Sequence, residues 1–145
     1  MEKFFLQKIT NKILMGAAVI IVVLSYSSCA RKMTFATSRV VPSAEGRVKI
    51  KKDKNKNYAI DLKVTHLTEP KRLNPPKRTY IVWMETVRNG TRNIGNLSTS
   101  SGFLSKTLKS SLQTVTPYKP KGFFITAEDN EGIAYPNGEV VLRTK

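Results

Sequence analysis

Few residues in this chain have types and spacing suited to acid–base or nucleophilic chemistry. The single histidine, His66, could act as base for a serine in the run Ser98 to Ser105, the one pairing that would make a hydrolase. His66 closes an alternating segment just before Leu67-Thr68-Glu69-Pro70, and Leu97-Ser98-Thr99-Ser100-Ser101-Gly102 has the composition of a flexible loop. No catalytic residue is therefore assigned, and the chain reads as non-enzymatic. Glu128, Asp129 and Glu131 cluster at one turn, where a weak calcium site would still need six to eight oxygens. A solvated turn is the simpler expectation, with no metal and no cofactor. One cysteine, Cys29, excludes an internal disulfide.

Charge is the stronger signal. The 145 residues include 25 Lys and Arg against 10 Asp and Glu, a formal charge of +15. Residues 1–28 hold three lysines and one glutamate, so 22 basic and 9 acidic residues remain beyond them, or +13. Lys49, Lys51, Lys52, Lys54 and Lys56 concentrate on one predicted hairpin, while Lys71, Arg72, Lys77 and Arg78 bracket Leu73-Asn74-Pro75-Pro76. Two positive lobes follow, suited to anionic lipid headgroups, anionic cell-wall polymer or an acidic envelope protein. Nucleic acid is disfavoured, because no aromatic is interleaved with these lysines to stack on bases.

The N-terminus is organised for export. Lys3, Lys8 and Lys12 precede an apolar or small-residue run from Ile13 to Leu24. Such a run suits a signal-peptide h-region of about 7–15 residues and is short of the roughly 20 that span a bilayer. Ser25-Tyr26-Ser27-Ser28-Cys29 follows. This ending resembles a bacterial lipoprotein signal with a relaxed lipobox, Tyr26 standing where the strict box has Leu. The resemblance implies cleavage between Ser28 and Cys29 and diacylation of Cys29, a membrane anchor whose strength grows by about 0.8 kcal/mol per buried CH₂. Surface-export signals in such lipoproteins are acidic after the cysteine and Arg31-Lys32 is basic, so the resemblance implies a periplasm-facing protein, with the outer membrane expected over the inner. Residues 29–45 show no periodicity and read as a lipidated, flexible tether able to hold a domain some tens of Å from the bilayer.

The elements that would position these residues are strands. Tyr58-Ala59-Ile60-Asp61-Leu62-Lys63-Val64-Thr65 alternates strictly, and Arg47-Val48-Lys49-Ile50-Lys51 does so before it, across a polar turn. The segment from Arg78 to Val87 is apolar on both faces, as a central strand would be, and runs into Asn89-Gly90, a type I′ hairpin signal. Return strands are expected over Thr91 to Leu97, Lys106 to Thr114, Lys121 to Glu128 and Gly138 to Arg143. The predicted core is Val48, Ile50, Ile60, Leu62, Val64, Tyr80, Val82, Trp83, Leu97, Leu108, Leu112, Phe123, Ile125, Val140 and Leu142. About seven strands in residues 46–145 imply an all-β domain, a single antiparallel β-sandwich of immunoglobulin-like type, after an N-terminal signal helix and the tether.

Five pieces of this domain stand in a recognisable order: Tyr80-Ile81-Val82-Trp83, Asn89-Gly90, Gly95-Asn96-Leu97, Thr126-Ala127-Glu128 and Pro136-Asn137-Gly138-Glu139-Val140-Val141-Leu142. In that order they resemble the extracytoplasmic C-terminal domain of anti-sigma-K factor (RskA-type) proteins. The resemblance implies a β-sandwich that senses or scaffolds outside the cytoplasm. Sigma-factor binding does not come with it, because that role belongs to a separate helical domain with no counterpart in these residues. The expected function is a lipid-anchored, non-enzymatic binding or scaffolding module of the envelope, with a sensor role in an anti-sigma-type system as the alternative.

Overall fold

The computed structural model of the chain describes residues 30–101 and 108–145. The expected signal peptide, its cleavage site at Ser28, Cys29 and residues 102–107 lie outside the described residues. Within them the chain is all-β, with one 3₁₀ turn at Pro70–Arg72. No helix among the described residues is long and apolar enough to cross a membrane.

Nine strands form two antiparallel sheets: β1 (Arg31–Thr34), β2 (Glu45–Lys52), β3 (Tyr58–Thr65), β4 (Thr79–Thr86), β5 (Thr91–Asn96), β6 (Ser98–Ser101), β7 (Leu108–Thr116), β8 (Pro120–Glu128) and β9 (Val140–Arg143). One sheet has the order β1-β2-β3-β7-β6 and the other β5-β4-β8-β9. The expected sandwich is thus present, with nine strands in place of seven. Alternation explains the inner faces. Val48, Ile50, Ile60, Leu62 and Val64 point inward from β2 and β3, meeting Tyr80, Val82, Met84, Phe123 and Ile125 from the facing sheet.

The first added strand changes the domain boundary. Residues 30–45, expected to be a tether, are part of the sandwich. Arg31 to Thr34 pair with Arg47 to Ile50, and the chain then crosses to the other sheet. Phe35 bridges Thr144, and the Ala36 N–H donates to the Arg143 carbonyl at 2.8 Å. Phe35, Val41 and Ala44 are buried in the core. Ser38 Oγ donates to the Val141 carbonyl at 2.6 Å and accepts from the Val41 N–H at 2.9 Å. The segment is a strap that closes the open side between the sheets. Gly46 is required beneath it, since a Cβ there would lie 2.5 Å from the Phe35 ring.

The second added strand, β6, replaces the serine loop. Strand β5 belongs to one sheet and β6 to the other, so the chain changes sheets at Leu97, which is buried and donates its N–H to Tyr80 O at 3.0 Å. Gly95 takes φ +125 at this corner, a conformation an L side chain resists. A bulge opposite, between Val82 and Trp83, absorbs the change of direction.

Three further expectations are corrected. The β4–β5 connection is a four-residue loop, Val87 to Gly90, in which Gly90 alone has positive φ, so it is not a type I′ turn. Thr86 Oγ1 organises it, accepting from the Asn89 N–H and donating to Gly90 O, both at 2.8 Å. In β9, Val140 is exposed while Val141 and Leu142 are both buried. A register shift between Ile125 and Thr126 breaks the alternation that would have paired Val140 with Leu142 on one face. Leu108 and Leu112 are only partly buried, because β7 and its edge neighbour β6 lie at the margin of the sheet.

Candidate functional site

The two outer faces of the sandwich differ, and that difference defines the candidate site. On the four-stranded sheet, Ile81, Trp83 and Phe124 form a second buried cluster, covered by Ile133 from the loop that joins β8 to β9. Trp83 and Phe124 stack with centroids 6.2 Å apart. Trp83 is therefore a core filler, as expected from its mid-strand place, although it packs outside the main core.

The covering loop is pinned by a buried hydrogen-bond chain. Trp83 Nε1–H donates to Thr126 Oγ1 at 2.8 Å, and Thr126 donates to Glu128 Oε1 at 2.7 Å. The same oxygen accepts from the Asn137 and Gly138 N–H groups at 3.0 and 2.9 Å. Glu128 is 3% exposed, which corrects the expectation of a solvated turn. Its carboxylate is spent on the loop, Asp129 pairs with Lys77 at 2.8 Å and Glu131 accepts from Asn96 Nδ2. Among the described residues no group of three or more ligating side chains could hold a metal.

On the five-stranded sheet no described segment covers the outer face, and its residues are basic. The odd-numbered positions of β2, β3 and β7 point to solvent, and the register aligns them in rows. Lys32 stands opposite Lys49, which stands opposite Asp61 and then Gln113. Beside that row, Thr34, Arg47, Lys63, Ser111 and Ser98 are in line. Lys51 and Lys109 extend the face at its two ends. Six cations thus share the surface with two acids, Glu45 and Asp61. Two shallow depressions run along it, the larger about 620 Å³ and lined by Arg47, Lys63, Lys109 and Ser111. The smaller is lined by Lys49, Lys51, Asp61 and Gln113.

Two of the cross-strand pairs, Lys32 with Lys49 and Arg47 with Lys63, join like charges, an arrangement that destabilises a sheet. The Lys63–Asp61 pair at 3.7 Å is half-exposed and offsets little of this. Of the sequence-predicted residues, Lys49 and Lys51 belong to this face. Lys52 lies at its end with Nζ 5.9 Å from the Tyr58 ring, and Lys54 and Lys56 are exposed on the β2–β3 loop. Arg47, Lys63 and Lys109 were not singled out by the sequence, and Lys32 was read only as part of the tether, not of this face. They lie on four different strands, and only the register brings them together.

The second lobe sits at the opposite end of β3 and is less basic than expected. Arg72 is 3.6 Å from Glu69, Lys77 is tied to Asp129, and Lys71 and Arg78 border a depression that also contains Glu69 and Glu131. Tyr80 anchors this region through a 2.7 Å bond from its hydroxyl to Thr68 O, and burial pushes its pKa up to about 12. His66 has positive φ and an exposed side chain, and its N–H donates to Leu108 O. Between His66 at the end of β3 and Ser98–Ser101 of β6 stands the whole width of β7. Two strand spacings, about 9–10 Å, separate their backbones. Ser105 lies outside the described residues.

Compared with known protein families, curated proteins and solved structures, the chain matches none.

Proposed function

We propose that the protein is a lipid-anchored module of the bacterial cell envelope that binds an anionic partner on the open face of its five-stranded sheet and does no catalysis. The observation that carries the reading is the pair of like-charge cross-strand contacts on an uncovered face, Lys32–Lys49 and Arg47–Lys63. A sheet gains nothing in stability from such pairs, and a bound polyanion relieves both. The other sheet, with its outer face occupied by the β8–β9 loop, supplies the rigid backing. Support for the anchor comes from Ser27-Ser28-Cys29 after a basic and then apolar leader.

Binding to polyphosphate as a probe polyanion tests the face. Removing Lys49, Lys63 and Lys109 together as glutamines is expected to weaken binding about tenfold, at roughly 0.5 kcal/mol per exposed charge. Removing Lys71, Arg72 and Lys77 is expected to leave it nearly unchanged. Equal losses in the two triple variants, or binding indifferent to salt, would defeat the proposal. Intact mass of the protein from its host, with and without Cys29→Ala, tests the anchor.

A further inference from the structure

The strap that begins at Ala30 removes the expected spacer and fixes which part of the sandwich faces the attachment point. Arg31 pairs with Ile50, two residues before the end of β2, so the described chain begins at the end of the sandwich that carries the β2–β3 loop. Other connections meet there. Tyr58 pairs with Thr116, and Thr86 with Pro120, which bring the β7–β8 turn and the β4–β5 loop to the same end. The Val87 N–H donates to Lys119 O at 3.2 Å, and one pocket is lined jointly by Arg31, Lys52, Tyr58 and Lys119.

This end is strongly cationic. Arg31, Lys52, Lys54, Lys56, Arg88 and Lys119 stand on it, and the acid on the same segments, Asp53, accepts the Asn57 N–H at 2.8 Å within its loop. Apolar and aromatic groups are interleaved. Val87 is 53% exposed, Val115, on the open face where it meets this end, is 63% exposed, and Arg92 stacks over Tyr118 at 4.7 Å. The opposite end, about 27 Å away along the eight residues of β3, mixes Glu69, Asp129, Glu131 and Glu139 with its cations. Charge and exposed valine therefore coincide with the end from which the N-terminal residues depart.

We propose that this end docks directly on the anionic headgroups of the bilayer, with the sandwich standing upright on it and its open basic face turned sideways, available to the partner. The inference rests on the anchoring at Cys29 proposed above. Clustered lysines within a screening length of an anionic surface bind headgroup phosphates, and apolar side chains among them enter the interface.

The test uses the intact mature protein in vesicles of phosphatidylglycerol with phosphatidylcholine, and of phosphatidylcholine alone. Acylation of individual lysines by a water-soluble amine reagent is followed by mass spectrometry. Lys52, Lys54, Lys56 and Lys119 are expected to react about fivefold or more slowly on the anionic vesicles, with Lys71 unaffected. The protection is expected to vanish near 1 M salt, where screening acts within about 3 Å. Equal rates on both lipids would overturn the docking, as would slowing at Lys49, Lys63 and Lys109 with Lys54 unprotected. Absence of acyl mass at Cys29 would defeat the anchor alone, because vesicle protection of the same lysines reads the docking separately.

Discussion

Truncating Phe35 to alanine separates a strap from a tether. In a tether the substitution would be an exposed one, within about 0.5 kcal/mol of neutral. In the structure Phe35 is 8% exposed, rests on the backbone of Gly46 and belongs to the main core. A buried Phe→Ala change costs about 3–5 kcal/mol. Here the main-chain bonds from Phe35 to Gly46 and from Ala36 to Arg143 survive, so the lower end, about 3 kcal/mol, is expected. At about 4 °C per kcal/mol for a domain of this size, the melting temperature falls by about 12 °C. Trp83 provides the readout in urea, being the single tryptophan and fully buried in the folded chain. The denaturant midpoint should drop with the slope unchanged. A loss below about 1 kcal/mol would show that residues 30–45 are not held to the domain and would remove the basis for upright docking.

Two further outcomes follow from buried contacts. A Cβ at Gly138 would lie 1.9 Å from the Ala127 carbonyl oxygen, so Gly138→Ala must displace backbone and break the bond to Glu128. A loss of about 2 kcal/mol or more is expected by thermal unfolding, whereas Gly132→Ala, with open space around it, stays near neutral. Tyr80 has a folded pKa near 12, above its ordinary 10.0, so folding favours the neutral phenol. Its contribution is intact below pH 10 and is lost as pH climbs from 10 towards 12. Wild type should therefore lose stability relative to Tyr80→Phe across that window, and parallel curves would refute the assignment.

What the sequence made legible follows its packing. The β2–β3 hairpin alternates because one face is buried and the other wet. The apolar stretch of β4 was readable as a central strand because both its faces are covered, one by the main core and one by Ile133 and its loop. Strands β1 and β6 were not readable. Arg31-Lys32-Met33-Thr34 and Ser98-Thr99-Ser100-Ser101 are short edge strands whose polar residues carry no alternation and whose pairing is supplied by a partner already in place. Val140 was misplaced by a bulge, which leaves no compositional trace. The hairpin lysines showed that a basic surface existed. Its extent depends on the register of β1, β3 and β7, which sequence spacing does not encode.

The bridge between Phe35 and Thr144 joins residues more than a hundred positions apart in the sequence. Folding that depends on so distant a pairing is slow, because the loop must close before the contact rewards it. A chain emerging N-terminus first therefore cannot complete the strap until Thr144 is free to pair with Phe35. Until then the strap lacks its bonds to the Val141 and Arg143 carbonyls, and β1 is held to the domain by β2 alone. Closure of this sandwich thereby waits on the arrival of β9 and the residue that follows it.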